Sequence, residues 1–369
     1  MIPIEKRVYK GLEYYGGDLC IGDPTHDKAS QLILKKYSPQ GKKVLMIDPG
    51  SGALLAHCIQ AHCTVTVSSS LFHEHYACEK TKELLQRSCS CIVEDLVSAR
   101  LTITEERLFF RLNKSFEYSL SVIRHILSHA KSGVLVLYGT NDEGAKSLLK
   151  KISQHGIQGE CTEIGSSSRI FEIDIAAQNS TGLGNAQRDV PYDVTVSGAR
   201  FSYDTWPGVF SQKKVDEGSQ LLMESIPDLS GKSVLDLGCG AGILAMQAFN
   251  MGAERVHCRD VNAISTACTL HNLSAFGAKA TVSCGYITEG VTEKFEVIVT
   301  NPPFHMGTQT HFDIGKEWLE GCSAALKPGG AIYLVANEFL RYSDFCKKLG
   351  FKVEKLATSP RFFVYKIVS

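Results

Sequence analysis

The chain repeats itself. The stretch "SQLILKKYSPQGKKVLMIDPGSGAL" (30 to 54) parallels "SQLLMESIPDLSGKSVLDLGCGAGIL" (219 to 244), and "KSGVLVLYGTNDEGAKSLLKKI" (131 to 152) parallels "KPGGAIYLVANEFLRYSDFCKKL" (327 to 349). Both matches come in the same order at an offset near ~190 positions, which is what two tandem copies of one fold produce. A length of 369 residues suits two domains. Whatever one copy folds into, the other must also accommodate.

Each copy alternates strand and helix patterns. In the second, "SVLDL", "RVHCRD", "FEVIVT" and "AIYLVA" are short apolar runs of strand type. The stretches "ILAMQAFNM", "AISTACTLHNLSAFG" and "KEWLEGCSAAL" between them have helical character, the first ending at Gly252 and the second at Gly277. "KPGG" reads as the turn before the last of these strands, and "FKVEKLA" with "FFVYKIV" as an antiparallel pair at the sheet edge. Strands and helices in this order predict a mostly parallel sheet covered on both faces. Residues 176 to 193 are poor in large apolar side chains and rich in turn formers, so they read as a linker. The expected domains are 1–180 and 190–369, the second opening with a hairpin in "YDVTVSGARFSYDTW".

Composition narrows the function classes. A formal net charge of +0 excludes a globally basic nucleic-acid binder, so any such surface must be a local patch. Thirteen cysteines without framework spacing indicate reduced, mostly buried thiols and a cytoplasmic protein. "MIPIEKRVYKGLEYYGG" lacks the apolar core of a signal peptide, and no run reaches membrane-spanning length.

Two motifs carry chemistry. "VLDLGCGAG" is a glycine-rich turn between a strand and a helix, where Gly238, Gly240 and Gly242 allow a ligand to approach the backbone. The spacing resembles a dinucleotide fingerprint, but Asp236 lies within the strand, where a carboxylate could meet a cationic amino-acid moiety. Asp260 ends the second strand, placed for ribose hydroxyls, and the loop has no basic residue for a pyrophosphate. The competing reading is a tight turn with no ligand. The second motif is "VIVTNPPFHMGT" (297 to 308), where a strand runs into Asn301, Pro302, Pro303 and Phe304. Two prolines remove two backbone donors and fix φ twice, which makes a rigid tip. In an open parallel sheet both motifs reach the same rim, at the carboxyl ends of the strands.

Together these residues resemble the class I S-adenosylmethionine-dependent methyltransferases that act on exocyclic amines. "WPGVFSQKKVDEGSQLL" (206 to 222), "NPPFHMGTQT" (301 to 310) and "GGAIYLVANEFLRY" (329 to 342) further resemble the ribosomal RNA small subunit methyltransferase C family. The resemblance implies two tandem Rossmann-like α/β domains, the first degenerate and the second catalytic. It implies methyl transfer to the 2-amino group of a guanine in small-subunit ribosomal RNA, within a small-subunit particle and by a monomer. Asn301 and the Pro302 carbonyl would accept the amine hydrogens, held by the prolines, and Phe304 would stack on the base. No metal or nucleophile is needed. The cofactor would be held by Asp236, Gly238, Cys239, Gly240, Gly242 and Asp260, by Phe210 and Ser211 in "PGVFS", and by Tyr286 in "SCGYITEG", where the family has an acid or amide. His305 reads as loop structure. Large-subunit guanine methyltransferases share the layout, protein glutamine methyltransferases share Asn-Pro-Pro, and a non-catalytic RNA-binding or assembly factor is the reading from another class.

The first copy has lost these residues. It reads "VLMIDPGSGALL", with Met46 in place of the acid and Asp48-Pro49 at the start of the loop. Its second strand, "TVTVSSS", ends without a carboxylate, and no Asn-Pro-Pro precedes residue 300. An RNA-docking or structural role is what remains for it. "AHCIQAHC" and "FHEHY" gather histidines and cysteines, with Cys58 and His62 expected on one helix face, but the spacing fits no common zinc pattern and implies buried or interfacial side chains. The pairs Lys35-Lys36, Lys42-Lys43, Lys150-Lys151 and Lys213-Lys214 read as solvated faces, or as phosphate contacts if they line one side.

Overall fold

Short apolar runs between turn residues become the inner strands of two sheets. The computed structural model describes residues 2–99, 102–178, 190–196, 198–212, 214–303, 311–337, 342, 346–347 and 350–368. The chain divides into two units, Ile2–Arg188 and Asp189–Ser369.

The first unit opens with the hairpin β1 (Glu5–Tyr9) and β2 (Leu12–Gly16). Then follow α1 (Lys28–Lys36), β3 (Lys43–Ile47), α2 (Ala53–Gln60), β4 (Thr64–Ser69), α3 (Phe72–Leu85), β5 (Ser90–Val93) and β6 (Arg107–Arg111). It ends with α4 (Phe116–His129), β7 (Val134–Thr140), α5 (Leu148–Ser153), β8 (Glu160–Ile164) and β9 (Ser168–Asp174). The second unit opens with the hairpin β10 (Val190–Val196) and β11 (Ala199–Thr205). Then come α6 (Glu217–Ser225), β12 (Ser233–Leu237), α7 (Ile243–Asn250), β13 (Arg255–Asp260), α8 (Ala263–Asn272) and β14 (Ala280–Cys284). β15 (Phe295–Thr300), α9 (His311–Ala325), β16 (Leu326–Asn337), β17 (Lys352–Thr358) and β18 (Phe362–Val368) complete it.

The two seven-stranded sheets have one topology. Their orders are β5-β4-β3-β6-β7-β9-β8 and β14-β13-β12-β15-β16-β18-β17. In each, the order reverses beside the first strand, where open α/β sheets place their ligands. β12 is buried at all five positions and pairs in parallel with β13 and β15, as a strand covered on both faces must be. Val234, Val256, Val297 and Val299 pack with Leu244, Ala245 and Ala248 of α7 and with Leu222 and Met223 of α6. Val44, Met46, Val67 and Phe109 form the corresponding core of the first unit.

Four local expectations change. α8 stops at Asn272, and a 3₁₀ segment carries the chain to Lys279 through Gly277 at φ +54°. "KPGG" is not a free turn: Leu326 already pairs with Phe295, and Ala331 next pairs alongside Val297, so the four residues bulge out of β16. The linker is shorter than expected, because β10 begins at Val190, inside the stretch read as linker; residues 179–189 lie outside the described ones. α2 ends at Gln60, so exposed His62, at φ +60°, lies beyond the helix that buries Cys58. No helix among the described residues is long and apolar enough to cross a membrane.

Candidate active site

β12 delivers Asp236 to the turn. Its side chain is fully buried; Oδ2 accepts from the Ala245 N–H in α7 at 3.0 Å, while Oδ1 is buried without a partner. Burial pushes its carboxyl up to about 8, and Asp260 adds to the rise while the Ala245 bond opposes it. The chain then reverses through Gly238, Gly240 and Gly242 at φ +78°, +57° and +83°. Both Gly238 and Cys239 donate to the Arg259 carbonyl of β13, at 2.8 and 3.1 Å. A Cβ at Gly242 would come within 3.1 Å of Thr269, whereas one at Gly240 would meet nothing within 4 Å. The open side of the loop is therefore at Gly240. The Cys239 side chain turns into the core, which leaves only its backbone for a ligand.

Asp260 sits partly exposed at the tip of β13. Its Oδ2 accepts from Gly240 N–H at 3.0 Å and its Oδ1 from Asn262 N–H at 2.9 Å. Burial raises its carboxyl, against those backbone bonds. Asn262 caps α8 and donates to the Gly208 carbonyl at 3.1 Å, which ties the "PGVFS" segment to this corner. In that segment Phe210 is 62% exposed and Ser211 has φ +58°, its hydroxyl bonded to the Lys214 carbonyl at 2.6 Å. Tyr286 is buried and donates to Glu317 of α9 at 2.6 Å. Gly285 has no room for a side chain, because a Cβ there would fall 2.0 Å from the Arg259 guanidinium. That guanidinium holds the carbonyls of Ile287 and Glu289.

β15 brings Asn301 to the same rim. Thr300 donates to the Leu237 carbonyl at 2.7 Å and accepts from Trp318 Nε1 at 2.9 Å, fastening the ends of β12 and β15 together. Asn301 Nδ2 donates to Asp216 Oδ2 at 3.0 Å and to Ser219 Oγ at 2.9 Å, while its Oδ1 is buried and unpartnered. The backbone carbonyl of Asn301 lies 3.7 Å from where a Gly238 Cβ would stand. Pro302 is buried and Pro303 partly so; Phe304 and His305 lie outside the described residues. Two contributors were not singled out from sequence, Asp216 and Ser219. The signal was present in the repeat, where "HDKASQL" retains Asp27 and Ser30 opposite them.

These residues fit a cationic nucleoside cofactor. A buried carboxylate with one unpartnered oxygen, an open glycine turn and a second carboxylate on the adjacent strand tip stand along one edge. Among the described residues no group of three His, Cys, Asp or Glu is placed to hold a metal ion.

In the first copy other side chains fill the corresponding region. Asp48 takes φ +47°, and its oxygens accept from Ser70 N–H at 2.6 Å and Tyr118 hydroxyl at 2.7 Å. Gly22 packs on the loop so closely that a Cβ at Gly50 would lie 2.4 Å from its Cα. Ile47 pairs with Phe110 as Leu237 pairs with Thr300, so Arg111 holds the position of Asn301. It is buried between Asp27 at 2.9 Å and Glu143 at 2.6 Å. Of the lysine pairs, Lys36 and Lys42 make ion pairs with Glu163 and Glu106.

Fold and site define an S-adenosylmethionine-dependent methyltransferase of class I. The Methyltransferase small domain family matches residues 201–366. The chain is 30% identical over 263 residues to the ribosomal RNA small subunit methyltransferase C of Aliivibrio fischeri, covering 68% of this chain and 72% of that one. It is 26% identical over 351 residues to the protein of the same name from Hahella chejuensis, covering 92% and 98%. The T. thermophilus 16S rRNA N2 G1207 methyltransferase, solved with AdoMet and guanosine, superposes with a TM-score of 0.81 at 22% identity, covering 99% and 98%. The chain belongs to the ribosomal RNA small subunit methyltransferase C family.

Proposed function

We propose that the unit beginning near residue 190 transfers a methyl group to the exocyclic 2-amino group of a guanine in small-subunit ribosomal RNA. When bound, S-adenosylmethionine supplies an electrophilic methyl on a sulfonium. The Gly238–Gly242 turn would hold its amino-acid end near Asp236 and its ribose at Asp260, with Phe210, Ser211 and Tyr286 completing the pocket. The guanine amine is a poor nucleophile because its lone pair is delocalised into the ring. Asn301 Oδ1 and the Pro302 carbonyl would accept its two hydrogens and hold the nitrogen partly pyramidal, in an arrangement set before the reaction. Phe304 is assigned the stacking contact with the unstacked base. After transfer the extra proton leaves to water, since an amide does not take it up.

The observation that carries this reading is the Asn301 amide, whose nitrogen donates two hydrogen bonds while its oxygen is buried and free. The relatives' names favour the small subunit as substrate. We assign the first unit to docking on RNA, and a monomer acting on the assembling small subunit in the cytoplasm, where its thirteen unbridged cysteines would stay reduced. The test is labelled-methyl transfer to small subunits, large subunits and the free RNA of each. Label in the small-subunit particle supports the reading; label confined to large-subunit RNA refutes it.

A further inference from the structure

An asparagine amide has two ends that look alike in shape and opposite in chemistry, so its orientation must come from its partners. One end of the Asn301 amide faces Asp216 Oδ2 at 3.0 Å and Ser219 Oγ at 2.9 Å. An ionised carboxylate only accepts hydrogen bonds. The atom facing it must therefore be the NH₂ group, because the flipped amide would set two oxygens against each other at that distance. The same Asp216 oxygen accepts from Ser219 N–H at 3.0 Å, so it caps α6 and holds the tip of β15 at once. Gly218 keeps this corner clear: a Cβ there would lie 3.0 Å from Asp216 Oδ2 and 3.1 Å from the Phe362 ring. With both amide hydrogens engaged, the carbonyl oxygen is the end left free.

The first copy separates this clamp from the chemistry. Asp27 caps α1 by accepting from Ser30 N–H at 2.7 Å, as Asp216 caps α6. Its other oxygen accepts from Arg111 at 2.9 Å, in the register position of Asn301. A guanidinium has donors and no acceptor. That copy has kept the carboxylate and a donor for it, and has lost the one thing that an amide adds, a free carbonyl oxygen.

We propose that Asp216, assisted by Ser219, is a positioning residue for methyl transfer that fixes the Asn301 amide with its carbonyl oxygen available to the target amine. This rests on the role given to Asn301 above. Asp216→Ser is the informative variant, since serine caps a helix as well as aspartate, but its hydroxyl donates as well as accepts and so no longer dictates which end of the Asn301 amide faces it. Its kcat is expected to fall about ten- to a hundredfold, with RNA KM and cofactor Kd within about twofold of the parent and melting temperature unchanged. Asp216→Ser with parental kcat overturns the proposal. If Asp216→Ser lowers the melting temperature instead, Asp216→Asn decides. Its amide oxygen can stand where Oδ2 stands and accept from both Ser219 N–H and Asn301 Nδ2, so kcat should recover about tenfold or more over Asp216→Ser. No recovery overturns the proposal. Asn301→Ala serves as the reference: full activity there removes the reading of Asn301 itself, whereas an inactive Asn301→Ala beside a fully active Asp216→Ser removes only the positioning role.

Discussion

Asn301 is partly buried and Asp236 fully so, each with one buried oxygen unpartnered, and a buried oxygen without a partner is costly unless something else binds it. For Asn301→Ala we expect methyl transfer to fall by about 10²–10³-fold in single turnover, the scale of losing one preorganised acceptor, with cofactor affinity preserved in calorimetry. For Asp236 the sign follows from its carboxyl being raised from 3.8 to about 8. Between those values the folded chain holds a proton that the unfolded chain releases, so stability of the cofactor-free protein falls as pH rises through that window. A cationic ligand favours the ionised carboxylate, so cofactor affinity should rise with pH up to about 8 and level off above it. Calorimetric titrations across this range check the slope, and Asp236→Asn should flatten it. Residue types and their order along the chain made these two side chains legible. Asp216 and Ser219 were not, because their role depends on where α6 starts relative to β15, a contact across more than eighty positions.

Among the elements, the central strands and their helices follow from apolar runs bounded by glycine, and these were readable. The boundaries that shifted did so where pairing overrode turn composition. Leu326 finds Phe295 before the "KPGG" bulge, so the strand begins earlier than its glycines and proline suggest. α8 ends at Asn272 and gives way to a 3₁₀ segment that holds Gly277, although the apolar pattern continues. The hairpin of the first copy, β1 with β2, gave no clear signal either, since Glu5 and Lys6 are exposed and little of β1 is buried. The Gly285 corner is a further case in which packing rather than pattern decides. Gly285→Ala drives a methyl into the Arg259 guanidinium, whose bonds to Ile287 and Glu289 shape the segment before β15. We expect a loss of about 1–3 kcal/mol in denaturant titration. Stability equal to the parent would mean that Arg259 moves aside without cost.

At the scale of the whole molecule, one fold occurs twice with two fates. The repeat in the sequence announced the shared strand order, and Met46, Asp48 and Pro49 mark where the first copy departs from the glycine turn of the second. What the sequence could not announce is how the vacated corner was rebuilt, with Tyr118 on Asp48, Gly22 on Gly50 and Arg111 between two carboxylates. Arg111→Ala leaves Asp27 and Glu143 buried without their cation and should cost about 3–5 kcal/mol of stability, measured on the first unit's unfolding transition. A filled corner also predicts a stoichiometry of one cofactor per chain; calorimetric titration to two equivalents would show a second functional loop. The central claim is that the Asn301 corner methylates a guanine 2-amino group, and its most direct test is mass spectrometry of nucleosides from small ribosomal subunits incubated with S-adenosylmethionine and this protein. The account predicts 2-methylguanosine with the parent and almost none with Asn301→Ala. Methylation at any other nucleobase position, or no new nucleoside in either ribosomal RNA, would contradict it.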